Sequence, residues 1–192
     1  MLRYTFNLFL WGLFALIFIQ CAKRGNPTGG PEDETPPVLL RAVPELYSTG
    51  FRENRIRLYF DEYVKLDKLK DQLIVSPPLD PATYIISPQS TAAKYVQIEL
   101  MDSLQANTTY NFNFGQSIVD NNEGNPYPYF RYVFSTGGYV DSLKVSGTIG
   151  NAFGREAKTF VSVMLYAADS TYNDSIIYKR PPDYISNTLD SL

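Results

Sequence analysis

Thr109-Tyr110-Asn111-Phe112-Asn113-Phe114 is the stretch on which the fold turns. Tyr110, Phe112 and Phe114 fall on one side of an extended backbone, and Asn111 and Asn113 fall on the other. This period-2 alternation is the mark of a strand with one buried face. The pattern recurs outward in both directions. Arg55 to Phe60 sets Ile56, Leu58 and Phe60 against Arg55, Arg57 and Tyr59. Lys94 to Leu100 turns Val96, Ile98 and Leu100 inward against Lys94, Gln97 and Glu99, and Phe130, Tyr132 and Phe134 alternate with Arg131 and Val133. Two sheets packed on their apolar faces account for all four strands.

The punctuation between them agrees. Ser76-Pro77-Pro78, Asp80-Pro81 and Ser87-Pro88 cannot lie inside central strands, because proline lacks the N–H that a ladder needs. Gln105-Ala106-Asn107 forms a turn leading into Thr108, and Asp67 to Gln72 has room for a single helical turn. With 15 Tyr, 12 Phe, 13 Pro and 12 Gly, the composition favours strands and turns over helices. Residues 38–136 are therefore expected to form one all-β sandwich.

The chemistry available to the chain is narrow. Histidine is absent, which removes imidazole acid–base catalysis, Ser-His-Asp and Cys-His arrangements, and zinc sites that rely on histidine. The formal net charge of −3 leaves no clustered basic footprint for nucleic acid. Asp61 and Glu62 are adjacent carboxylates, but neighbouring strand residues face opposite ways and cannot flank one glycosidic bond. Asp120, Asn122 and Glu123 offer oxygens to a hard cation, yet the EF-hand pattern fails, with Asn125 where its glycine belongs and Arg131 where its glutamate belongs. A turn in which Asp and Asn bond their own backbone explains the same residues and is preferred, so no metal is assigned. Tyr127 and Tyr129, in Asn125-Pro126-Tyr127-Pro128-Tyr129-Phe130, form a candidate interaction loop for a glycan or a protein. The competing reading makes them lids on the sandwich edge. No enzyme and no cofactor are expected.

Before the sandwich, Met1 to Cys21 has a short basic start at Arg3 and an apolar run from Phe6 to Ile19, broken only at Asn7, and it ends on the only cysteine of the chain. A transmembrane helix needs about 20 apolar residues and Tyr4 to Ile19 is short for that, which makes a permanent span the second reading. A plain cleaved secretory signal would show small residues before the cut, where Phe18, Ile19 and Gln20 stand. The layout resembles a bacterial lipoprotein signal peptide, with residues 1–20 removed and Cys21 as the lipid-bearing residue, although Phe18 and Gln20 depart from the usual box. Residues 21–37 then read as lipid anchor and flexible tether, since Ala22 to Pro37 holds no hydrophobic residue larger than Ala22 to bury. At about 3.3–3.6 Å per residue, such a tether reaches roughly 50 Å. Glu32-Asp33-Glu34 is solvated linker charge or, more sharply, resembles a surface-export signal.

Four pieces in order resemble the bacterial Ig-like domains of surface-layer and cell-surface proteins: Ile56 to Val64, Leu104 to Tyr110, Ile118 to Asn125, and Val133-Phe134-Ser135-Thr136. Together with the signal sequence, the whole resembles the amino-terminal part of an Ig-like-domain lipoprotein of the Bacteroidota. The resemblance implies a non-enzymatic outer-membrane or cell-surface lipoprotein, anchored in lipid through Cys21. Its sandwich would serve as a structural or protein-interaction module within an envelope complex, or else as a glycan-binding accessory module. After Gly137-Gly138, Leu143 to Ile149, Thr159 to Ala167 and Ile176-Ile177-Tyr178 read as strands of a partial second β-domain over 137–192. That unit resembles the start of a carboxypeptidase-regulatory-type sandwich, which implies a longer protein.

Overall fold

The alternating residues become the inner faces of two sheets. The structure, a computed structural model, describes residues 30–150, 161–170 and 172–188. The signal stretch 1–20 and Cys21 lie outside the described residues. From Leu39 to Ser135 the strands are β1 (Leu39–Val43), β2 (Arg55–Leu66), β3 (Ile74–Ser76), β4 (Tyr84–Ser87), β5 (Ala93–Leu100), β6 (Thr109–Gly115), β7 (Ile118–Asp120) and β8 (Phe130–Ser135). Helical turn α1 (Leu69–Gln72) falls within the expected Asp67 to Gln72 segment.

One sheet runs β1-β2-β5-β4, and β7 pairs with the far half of β2. The other runs β3-β6-β8. Every strand pair is antiparallel. After β1 the chain crosses sheets and runs parallel to β8: Tyr47 N–H donates to Val133 O at 2.7 Å, and Ser135 N–H donates to Ser48 O at 2.9 Å. This is the four-plus-three strand order of a constant-type immunoglobulin sandwich, with β7 as an addition in the connection before the last strand. The all-β Ig-like sandwich read from the sequence is the fold observed.

The core is aromatic, and Phe134 is its hub. Its ring centroid lies 4.3 Å from Phe51, 5.7 Å from both Tyr110 and Tyr132, and 6.3 Å from Phe112. From the opposite sheet Ile56, Leu58, Val96 and Ile98 close over them with no exposed surface. Burying each large apolar side chain stabilises the fold by about 1.5–3 kcal/mol. Tyr132 keeps its hydroxyl satisfied inside by donating to Pro44 O at 2.9 Å, and burial pushes its pKa up to about 12. Strands β1, β3 and β4 each stop at the residue before a proline, Pro44, Pro77 and Pro88. The edge strands β1 and β4 are thus short and proline-bounded, which blunts edge-to-edge pairing.

The chain joins and leaves the sandwich at opposite poles. The incoming segment meets the β6–β8 connection, where Asn125 Nδ2 donates to Asp33 O at 2.6 Å. The outgoing segment sits at the start of β6, where Asp141 N–H donates to Thr109 Oγ1 at 3.0 Å.

Several expectations need correction. Lys94 shares the parity of inward Val96, and Tyr95 is the residue that belongs with Gln97 and Glu99; a register shift in the β2–β5 pair lets Lys94 escape to the surface, where Nζ donates to Asp61 O at 3.1 Å. Leu143 to Ile149 forms no strand, and Ile176–Tyr178 is a 3₁₀ turn. Within Thr159 to Ala167 the strand is β9 (Ser162–Leu165), and it pairs with β10 (Tyr184–Asn187), a strand the sequence reading did not assign. The β9–β10 hairpin leans on the outer side of the three-stranded sheet. There Ile185 N–H donates to Ser76 Oγ at 3.1 Å and Asn113 Nδ2 donates to Asn187 Oδ1 at 3.0 Å. Asn113, on the polar side of its strand, is consequently buried. Among the described residues no helix is long and apolar enough to cross a membrane.

Candidate functional site

The two regions with the most chemistry are the β7 loop at one pole and the outer face of the four-stranded sheet. In the loop, Asp120 is 1% exposed, and its carboxylate is spent on the backbone around it. Oδ1 accepts from the N–H groups of Asn122 (2.8 Å), Glu123 (2.8 Å) and Gly124 (3.1 Å), and Oδ2 accepts from Asn125 N–H at 2.7 Å. Burial works against the charged form, but the N–H donors outweigh it and hold this carboxyl below the ordinary carboxylate value. Asp120 therefore works as the organiser of a turn, with Gly124 at a φ of +88°. Among the described residues no group of three or more His, Cys, Asp or Glu is placed to hold a metal.

The same loop carries Tyr127 and Tyr129. Tyr127 N–H donates to Ile118 O at 2.8 Å, and its ring packs edge-on against Phe60 at 5.9 Å and Phe130 at 5.5 Å. Much of that ring is thus committed to the core. Tyr129, half-buried, takes a left-handed φ of +49° as the chain turns into β8.

Carboxylates cluster around this pole, with two lysines among them, Lys65 Nζ donating to Asn121 O at 3.0 Å and Lys94 Nζ to Asp61 O at 3.1 Å. Glu62 has its pKa raised, first by burial and then by the neighbouring carboxylates of Asp120, Asp61, Asp33 and Glu123. Asp61 faces the other way from Glu62 and clamps the incoming segment, accepting Val38 N–H on Oδ1 at 2.8 Å. The adjacent pair is split between two jobs, as strand geometry requires.

The outer face of the β1-β2-β5-β4 sheet has the opposite character. Register aligns Arg41, Tyr59 and Tyr95 in one row, and Val43, Arg57, Gln97 and Ser87 in the next. Arg41 lies with its guanidinium 4.0 Å from the Tyr59 ring centroid. Tyr59 neighbours Tyr95 at 5.9 Å, and Arg57 lies 5.5 Å from the Tyr95 centroid while its Nε donates to Gln97 Oε1 at 2.8 Å. Arg55 is engaged by Glu99 at 3.2 Å. Among the described residues neither Arg41 nor Arg57 has a carboxylate within ion-pairing distance.

The bacterial Ig-like domain family matches residues 33–136, more than half of the chain. The chain belongs to that family. No curated protein matches it. The Ig-like domain is a structural or interaction module, and its family pattern now has a physical basis in this chain. The Leu104 to Tyr110 piece builds a tyrosine corner, in which Tyr110 Oη accepts Gln105 N–H at 3.0 Å, and Asn107 supplies the left-handed turn at φ +51°. The Ile118 to Asn125 piece is the Asp120 turn. The match begins at Asp33, whose carbonyl accepts the Asn125 amide. Cys21, the residue proposed to carry lipid, lies outside the described residues.

Of the residues on the outer face of the four-stranded sheet, sequence reading found Arg57 and Tyr59 as outward-facing but missed their assembly with Arg41 and Tyr95. The signal was the spacing Arg57-Leu58-Tyr59; what the sequence lacked was the register that lays β1 and β5 beside it.

Proposed function

We propose that this protein is a non-enzymatic, lipid-anchored envelope protein of the outer membrane or cell surface, whose Ig-like domain is held off the membrane and engages another envelope component. The reading rests on Cys21 at the end of an apolar run, with a polar segment after it. The observation that carries it is where that segment docks. It reaches the sandwich at the pole of the β7 loop, and the outgoing chain leaves at the other, so a chain anchored at Cys21 would enter the domain at the end away from its exit. Asp61 and Asn125 fix this attachment through Val38 N–H and Asp33 O. One acyl chain gives only marginal membrane binding, so the anchor requires multiple acylation.

The test is fractionation of cells expressing the full chain or its Cys21→Ser variant. The wild-type chain is expected in the membrane fraction with faster mobility after lipidation and processing, and the variant is expected to lose the shift. Identical membrane retention and mobility in the two would refute the anchor.

A further inference from the structure

We propose that the outer face of the β1-β2-β5-β4 sheet is a binding site for an acidic polysaccharide, one whose sugar rings carry carboxylates. The proposal deepens the reading of the Ig-like domain as an interaction module and does not depend on the lipid at Cys21.

The first argument is charge. The chain is acidic overall, at −3, and Asp33, Asp61, Glu62 and Glu123 gather at one pole. On the sheet face the one carboxylate in the aligned rows, Glu99, is engaged by Arg55, and Arg41 and Arg57 are left without an acidic partner. Two uncompensated guanidinium groups on an acidic protein mark a surface complementary to an anion.

The second argument is geometry. Each guanidinium is held beside a ring, Arg41 at 4.0 Å from the Tyr59 centroid and Arg57 at 5.5 Å from the Tyr95 centroid, within the range of cation–π attraction, and this contact uses none of the N–H donors in a hydrogen bond. Arg57 has committed Nε to Gln97, so its two terminal nitrogens remain, which is the fork that takes a carboxylate through two parallel hydrogen bonds. The groups are thereby ordered in advance, and less side-chain entropy is lost on binding. Tyr95, 39% exposed, and Ile85, 44% exposed, offer apolar surface beside the charges for the C–H faces of sugar rings.

The third argument concerns shape and access. The outer side of the three-stranded sheet is occupied by β10 at Ser76 and Asn113, whereas nothing among the described residues lies over the Arg41 to Tyr95 row. A sheet face is broad and shallow, suited to a polymer lying across it, while small ligands favour concave sites. An acidic peptide would gain most by adding a strand, and the short, proline-bounded edges β1 and β4 discourage that mode.

The experiment measures binding of the full chain, in mild detergent, to polygalacturonate by affinity electrophoresis and calorimetry. Fully methyl-esterified polygalacturonate keeps the rings without the charge, and polyglutamate keeps the charge without the rings. Vesicles containing an anionic phospholipid stand for a membrane surface. Polygalacturonate is expected to bind at least about tenfold more tightly than each of the other three, and more weakly as salt rises. The Arg41→Gln/Arg57→Gln variant should lose about tenfold with an unchanged melting temperature, and the double Lys variant should also weaken because it lacks the fork. Equal binding of the acid and its ester, equal or tighter binding of polyglutamate or vesicles, or no binding at all overturns the proposal. Should the Gln variant not fold, the wild-type comparison of acid with ester still decides. Failure here leaves the membrane-fractionation result at Cys21 unaffected, so the two readings fall separately.

Discussion

The Tyr110 hydroxyl accepts the backbone N–H of Gln105 at 3.0 Å, closing the connection between β5 and β6 from within the core. Tyr110 is fully buried, so the bond ties a loop five residues upstream to the stack around Phe134. Tyr110→Phe keeps the ring and orphans the N–H. The expected loss is about 1 kcal/mol in urea unfolding, near the middle of the range for a neutral hydrogen bond. A variant as stable as the wild type would show that the corner contributes nothing here.

Phe134 should be the most sensitive core position, because four rings, three from its own sheet and Phe51 from the β1–β2 connection, converge on it. Phe134→Ala is expected to cost about 3–5 kcal/mol, enough to remove most of the stability of a domain this size. Far-UV circular dichroism and thermal melting read this out directly. Phe134→Leu, which fills more of the space, should cost clearly less.

Asp120 makes stability depend on pH. Its folded pKa lies below the ordinary carboxylate value while an unfolded Asp titrates near about 3.9, so in acid the unfolded state binds the proton first. The contribution is present above the unfolded pKa and is lost as pH falls through the folded one. Asp120→Asn keeps an oxygen for part of the loop but turns an amide N–H₂ toward Asn125 N–H, and should cost about 2 kcal/mol at neutral pH. The difference between variant and wild type should narrow as pH falls below about 4. A gap of constant size across that range would remove the carboxylate from the account.

Gly115 ends β6 at a φ of +56°, and a Cβ placed there would lie 2.9 Å from Gln72 Oε1. That oxygen already accepts Gln116 N–H at 2.6 Å, so it cannot withdraw without breaking a bond that ties α1 to the sheet. Gly115→Ala should cost about 1–3 kcal/mol, the strain of a non-glycine residue in this region plus the displaced contact. By contrast Gly124→Ala, also at positive φ but in open space, should cost less. The order of the two melting temperatures is the check.

The strands that sequence revealed are those with one face buried and one polar. β2, β5, β6 and β8 alternate over most of their length, because each runs along a sheet whose inner side is aromatic or aliphatic, with Lys94 as the exception in β5. β7 was hidden because Ile118, Val119 and Asp120 are all buried, which erases the alternation. β4 was hidden for the reverse reason, since Ile85 points outward with 44% of its surface exposed. Leu143 to Ile149 shows the opposite failure. Leu143 and Val145 alternate as strand residues should, yet they are almost fully exposed, because no sheet takes up their face among the described residues. The Asp120 turn was legible from local chemistry alone, whereas the Arg41 to Tyr95 row was not. Its members come from three strands and meet only once the register is fixed.

The anchor at Cys21 is the claim on which the functional reading stands, and mass spectrometry of the protein's amino terminus, isolated from its native envelope, tests it most directly. The account predicts that the first residue is Cys21, carrying the added mass of a lipid modification. A terminal peptide that retains residues 1–20, or an unmodified Cys21, would contradict it.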